Sequence, residues 1–303
     1  MKRSLAFCAL LALVAAQRLF AQVDTTTLSR GSFVEKVLRT SGLAWDADTA
    51  DHFIVHTQRG VRFVVQRRAM LDSLEIAWTN AEQILGATVP DVERIPVFVI
   101  TSPKELPQLM KPPMRGLTFY ARGGPLVVIV HNDSVKPYTR HEVMHVVSSY
   151  TWGTRADSAN AWMIEALGVL ADGVCQGVPN TVAARDIMRW SPNKTAFDFT
   201  TRFIESTRVD RAGTYVLAGS MLAYLWEKEG RDGVHAMWPS RVTPKSSPSP
   251  LSASTLRDGV TSLHTTGGSF FDDPTPAWRA WVLRTAGDKP GLDSASYRRY
   301  GCK

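Results

Sequence analysis

The sequence predicts an α+β fold, on three observations. Short β-rich runs bounded by turn residues crowd into the first 130 of 303 residues. Helix-period segments fill most of the remaining chain, which gives strands first and helices second. The chain is 44% hydrophobic and 21% charged, the balance of a globular protein, and this excludes a wholly disordered or collagen-like chain. The expected architecture is an N-terminal mixed β-sheet with helices, followed by a mostly helical C-terminal half.

Residues 1–21, MKRSLAFCALLALVAAQRLFA, read as an export signal. Lys2 and Arg3 form a basic start, and Leu5–Ala16 is an unbroken apolar run of 12 residues. That is within the ~7–15 of a signal core and short of the ~20 needed to span a bilayer. Small residues permit cleavage after Ala16 or Ala21, and Ala21 is favoured. Cleavage there removes three basic residues and no acid, lowering the formal charge from +7 to +4. A surplus of that size does not demand a nucleic-acid partner, and with no Lys/Arg-rich run to follow phosphates none is expected. No later apolar stretch approaches spanning length. Of three cysteines, Cys175 and Cys302 remain after cleavage. In an oxidising compartment they either bridge, tying the tail to the centre, or stay as two thiols.

Residues 22–48 are polar and weakly patterned, and are expected as a loosely packed lead-in. HFIVHT (52–57) and VRFVV (61–65) read as strands joined by a Gly60 turn. The apolar spacing of Met70, Leu74, Ile76, Ala77, Ala81, Ile84 and Leu85 predicts a helix over 67–86. IPVFVIT (95–101) predicts a central strand, followed by a short helix near Lys104–Met110. Leu117–Ala121 and Leu126–Val130 flank Arg122-Gly123-Gly124, a hairpin signal. Helices are expected at 137–150, 160–174, 180–190 and 214–229. Residues 240–273, rich in Ser, Thr, Pro and Gly, predict a long polar loop, and PAWRAWVLRTA (276–286) a docking helix. The chain thus divides into a signal peptide (1–21), the lead-in (22–48), a main domain (49–240) and a polar loop with the C-terminal docking helix (241–303).

The chemistry-bearing segment is TRHEVMHVV, residues 139–147. On a helix, His141 and His145 stack one turn apart on one face, close enough to share a metal ion. Glu142 can reach the open side of that metal without ligating it, where it could accept a proton from bound water. A catalytic zinc site takes three protein ligands and a water. Glu165, in SANAWMIEALGVLAD, supplies the third if its helix returns antiparallel to the first, with Ser158 or Asn160 as its cap. An inward carboxylate among Trp162, Met163 and Leu167 is costly unless paired or metal-bound. Asp172, two turns further on, is a candidate to orient a ligating histidine. His52, His56, His131 and His264 read as structural.

HEVMH followed by WMIEA resembles the gluzincin branch of zinc metallopeptidases, in particular the bacterial peptidase-MA-like domains with HExxH and W-x-x-E-G. The likeness extends over roughly residues 50–240 and 276–286, with Ala166 in place of the family's glycine. It implies a zincin-like fold with the HExxH segment on the active-site helix. It implies one zinc ion held by His141, His145 and Glu165, and Glu142 as general base toward a peptide or protein substrate. It further implies that the 214–230 helix packs behind the site, which makes Tyr215 the first candidate for stabilising an oxyanion, with Tyr224 and His235 as alternatives. Substrate would lie along one arm of the 117–130 hairpin, with Leu117 and Phe119 in contact. The alternative is a zinc-binding, non-catalytic scaffold on the same fold, and a third reading is a metal-free envelope protein. No G-x-S-x-G occurs, so a serine hydrolase is not supported.

Overall fold

A computed structural model describes residues 29–60, 67–107, 109–110, 114–132, 137–153, 161–196, 198, 203, 206–207, 210–238 and 274–300. The expected signal segment, strand 61–65, loop 240–273, caps Ser158 and Asn160, His264 and Cys302 lie outside the described residues. The described chain is α+β, with a five-stranded mixed sheet and a larger helical part.

Helix α1 (Arg30–Thr40) leads into β1 (Trp45–Thr49) and β2 (Phe53–Gln58). Next come α2 (Arg67–Leu85), β3 (Ile95–Ile100) and a 3-10 turn at Pro103–Glu105. The hairpin β4 (Gly116–Ala121) and β5 (Gly124–Val130) precedes α3 (Thr139–Thr151) and α4 (Ala161–Asp172). A two-stranded ribbon, β6 (Val174–Cys175) and β7 (Val178–Pro179), opens α5 (Asn180–Trp190). Helices α6 (Arg211–Ala236), α7 (Thr275–Ala286) and α8 (Ser294–Tyr300) complete the chain. The sheet order is β1-β2-β3-β5-β4, with β2, β3 and β5 parallel and the two outer strands antiparallel to their neighbours.

β3 and β5 are apolar throughout because both faces of the sheet are covered. Val97, Val99, Val127 and Ile129 point to a core shared with α2, α3 and the later helices. Phe98, Ile100, Leu126, Val128 and Val130 point the other way, to a smaller core closed by Phe33, Val37, Leu106 and Met110. His56 belongs to that second face and stacks on Phe98 at 4.9 Å, where burial depresses its pKa. Period-2 alternation therefore builds two cores from single strands.

The lead-in differs from expectation. Within 22–48, residues 30–40 form a full helix with Phe33 and Val37 buried, and Trp45–Thr49 is an edge strand. The apolar stripe of α1 is only Phe33, Val34, Val37 and Leu38, diluted among polar residues, so it reads weakly in sequence while still capping one face of the sheet. Arg30, itself buried, ties α1 to Glu93 and donates its backbone N–H to the Arg122 carbonyl at 2.7 Å.

The helical part is fastened by a buried ion pair. Arg185 Nε donates to Asp186 Oδ1 at 2.8 Å, and Arg185 also donates to the carbonyls of Gly287 and Lys289 at 2.6 and 3.0 Å. Asp186 Oδ2 accepts the Leu292 N–H at 2.8 Å. These bonds fix the segment after α7 onto α5. Cys175 is disulfide-bonded. Asp186→Ala strands the Arg185 guanidinium and the Leu292 N–H inside the protein. It is expected to cost about 3–5 kcal/mol of folding free energy, measurable by urea denaturation.

Candidate metal centre

Helix α3 packs on α2 and α4, and most of its residues from Thr139 to Ser148 are buried. The four-residue spacing sets the His141 and His145 rings side by side, edge to face, with centroids 4.7 Å apart. α4 brings Glu165 to them. Its Oε2 lies 3.1 Å from His141 Nε2 and 3.6 Å from His145 Nε2. One donor atom from each of the three residues falls within 4.8 Å of the others, so the group could hold a metal ion. Tetrahedral ligands at zinc bond lengths stand about 3.3 Å apart, which the two carboxylate distances bracket. The donor set, two imidazole nitrogens and one carboxylate oxygen, also suits zinc. The residues present therefore fit the ion. The histidine side chains are 8–9% exposed and that of Glu165 28%.

This convergence depends on how closely α4 approaches α3. Gly168 lies one turn beyond Glu165, against the His141 ring; a Cβ there would stand 2.6 Å from the ring carbon Cε1. Asp172 comes next on the same face, its Oδ2 3.4 Å from His141 Nδ1. Glu165, Gly168 and Asp172 thus form one stripe at i, i+3 and i+7. Asp172 and Glu165 hold opposite edges of the same imidazole, and Gly168 makes the room.

The charges are strongly coupled. Burial opposes charge on His141, but the carboxylates of Asp172 and Glu165 outweigh it and lift its pKa well above the ordinary histidine value. Burial alone would raise Glu165; the two imidazoles instead hold it far below the usual carboxylate range. For Glu142 burial wins and its pKa rises, against the pull of His141, His145 and the Thr118 hydroxyl.

Glu142 faces β4 rather than solvent. Thr118 Oγ1 donates to Glu142 Oε2 at 2.7 Å. Tyr120, two residues on, donates its hydroxyl to the His145 carbonyl at 3.1 Å. Tyr138 stands before α3 with its ring 5.9 Å from His141, under the Arg115 guanidinium, which also donates to its hydroxyl at 3.0 Å.

Tyr215, at the start of α6, lies with its ring 6.3 Å from His141. Burial and the neighbouring Glu165 carboxylate raise its phenol pKa, so it stays protonated and able to donate. The two alternatives lie elsewhere. Tyr224 packs on Trp281, and His235 stacks on Trp152 beyond the C-terminal end of α3.

The side chains of Leu117 and Phe119, expected to contact substrate, do not face the three donor residues. Both pack into the opposite core, with Phe119 5.8 Å from Phe33. Alternation gives the centre Gly116, Thr118 and Tyr120 instead. The backbone obeys the same parity. The Val130 N–H donates to Arg115 O, and Pro125, which has no N–H, stands opposite Tyr120. Residues 115, 117 and 119 therefore bond to β5, while the N–H and C=O of Gly116, Thr118 and Tyr120 point to the outer edge. Among the described residues no strand pairs with β4 along that edge.

Sequence reasoning missed Thr118, Gly116, Gly168, Tyr138 and Arg115. The one available signal was the period-2 reading of the hairpin arm, which separates Thr118 and Tyr120 from Leu117 and Phe119.

A metal ion bound here would have to displace the proton that His141 retains. The apparent affinity for zinc is therefore expected to rise about tenfold per pH unit from the ordinary histidine pKa of 6.5 up to the raised value of His141. Calorimetric titrations in buffers of different ionisation enthalpy should record about one proton released per zinc in that window. No protein-family model matches the chain, and a search of curated proteins finds no match.

Proposed function

We propose that the protein is an exported zinc metallopeptidase of gluzincin type with a zincin-like catalytic fold, which hydrolyses peptide bonds in a peptide or protein substrate. The observation that carries this reading is the meeting of His141, His145 and Glu165 around one point, with Glu142 electrostatically coupled to all three. Export rests on the N-terminal signal pattern in residues 1–21.

His141 Nε2, His145 Nε2 and one Glu165 oxygen would hold one zinc ion. Bound zinc lowers the pKa of a coordinated water toward ~7 and polarises a carbonyl. The chain's own groups do the rest. Glu142 accepts a proton at a carboxylate oxygen and returns it to the leaving amine. Its raised pKa, caused by burial, suits a group that must both take and give up that proton. Asp172 orients His141 through Nδ1. The protonated Tyr215 phenol donates to the oxygen that becomes negative at the carbonyl. An extended substrate would add to the sheet beside β4, with Gly116, Thr118 and Tyr120 offering their outward N–H and C=O groups.

Glu142→Gln is expected to keep one zinc per chain and abolish peptide cleavage. Metal analysis and a fluorogenic peptide library, with and without chelator, measure both; full activity in the variant overturns the base assignment. Tyr215→Phe should lower kcat by about 10²–10³-fold with little change in zinc content, read from steady-state kinetics.

A further inference from the structure

β4 meets Glu142 at both carboxylate oxygens, holding one by a hydrogen bond and leaving room for the other. Thr118, 7% exposed, donates its hydroxyl to Oε2 at 2.7 Å, with the Glu142 carbonyl as a second, longer acceptor at 3.2 Å. Gly116, two residues earlier and on the same face, lies under the other oxygen. A Cβ at 116 would stand 2.3 Å from Oε1 and 2.8 Å from Cδ, so the carboxylate occupies the space a side chain would fill. Threonine in a strand has a restricted χ1, which fixes its hydroxyl relative to the backbone. The Glu142 carboxylate is thereby referenced to the strand rather than left to its own two methylenes.

From this geometry we propose that Thr118 is a positioning residue for Glu142, seating the general base in a Gly116–Thr118 cradle on the strand whose outer edge is paired with no other strand among the described residues. The inference rests on the metallopeptidase reading. Its physical content is that a base misplaced by about 1 Å can lose on the order of 10²-fold in rate, and that the same residue, Thr118, turns its backbone to the outer edge and its side chain to the base. A peptide pairing with β4 and the proton acceptor are then held by one rigid element, at a distance set by the strand and not by the flexibility of a glutamate.

Three variants of the zinc-loaded full chain test this: Thr118→Val, which keeps the shape and removes the hydroxyl, Thr118→Ser, which restores it, and Gly116→Ala, which fills the cradle. Thr118→Val and Gly116→Ala are each expected to lower kcat about 10–100-fold while KM and the zinc content stay at wild-type values, and Thr118→Ser to recover most of the kcat. A second readout uses the zinc-free protein. Urea unfolding of Thr118→Val, Glu142→Ala and the double variant should be non-additive, because the hydroxyl and the carboxylate are partners before any metal binds. Wild-type kcat in Thr118→Val, failure of Ser to rescue, or strictly additive unfolding would overturn the cradle while leaving the metallopeptidase reading intact. A wild-type chain that holds zinc and cleaves no peptide in the library would overturn that reading, and any catalytic role for Thr118 with it.

Discussion

A single carboxylate oxygen, Glu165 Oε2, sits between two imidazole nitrogens at 3.1 and 3.6 Å, and much of the helical architecture serves to place it there. The charged groups involved are costly to bury singly and acceptable together. His141 is held from both edges by carboxylates, Glu165 at Nε2 and Asp172 at Nδ1, which explains why its proton is retained despite burial. α3 and α4 must therefore touch at one point. Gly168 permits it, because any side chain there would occupy the volume of the His141 ring. Packing at a glycine and electrostatics at a carboxylate are here one constraint seen from two sides.

The sheet adds a second layer of control through its outermost strand. A strand offers two perpendicular sets of contacts, side chains above and below and backbone groups in the plane. In β4 the residues that turn their backbone outward, Gly116, Thr118 and Tyr120, also turn their side-chain face to α3. Leu117 and Phe119 do the converse, bonding to β5 and filling the core under α1. The strand thus anchors itself with one alternation and faces Glu142 and α3 with the other. The contacts of α1 with that same core make residues 30–40 part of the packed structure.

Much of this was legible in the residues. The helical period over 67–86 became Arg67–Leu85, the IPVFVI run became the middle strand of the sheet, and the Gly123-Gly124 turn signal became the β4–β5 hairpin. His141 and His145 share a face because the helix repeat demands it, and Asp172 falls beside His141 for the same reason. The misses have a common origin. α1 was faint because its four apolar residues cover one face of a sheet and nothing else. Thr118 and Gly168 carry no local signal of their role, because the partner that explains each lies on another element. One residue of strand phase separates Leu117 and Phe119 from Thr118 and Tyr120, which puts the two pairs on opposite faces.

By itself the sequence determined most of the elements and which donor residues share a helix face, since those depend on local periodicity. Whether Glu165 meets the histidines, which oxygen of Glu142 is held, and which face of β4 serves the centre were decided only by tertiary structure. Each depends on an approach of a few ångströms between segments 20 or more residues apart in the chain, and a one-dimensional pattern carries no record of such an approach.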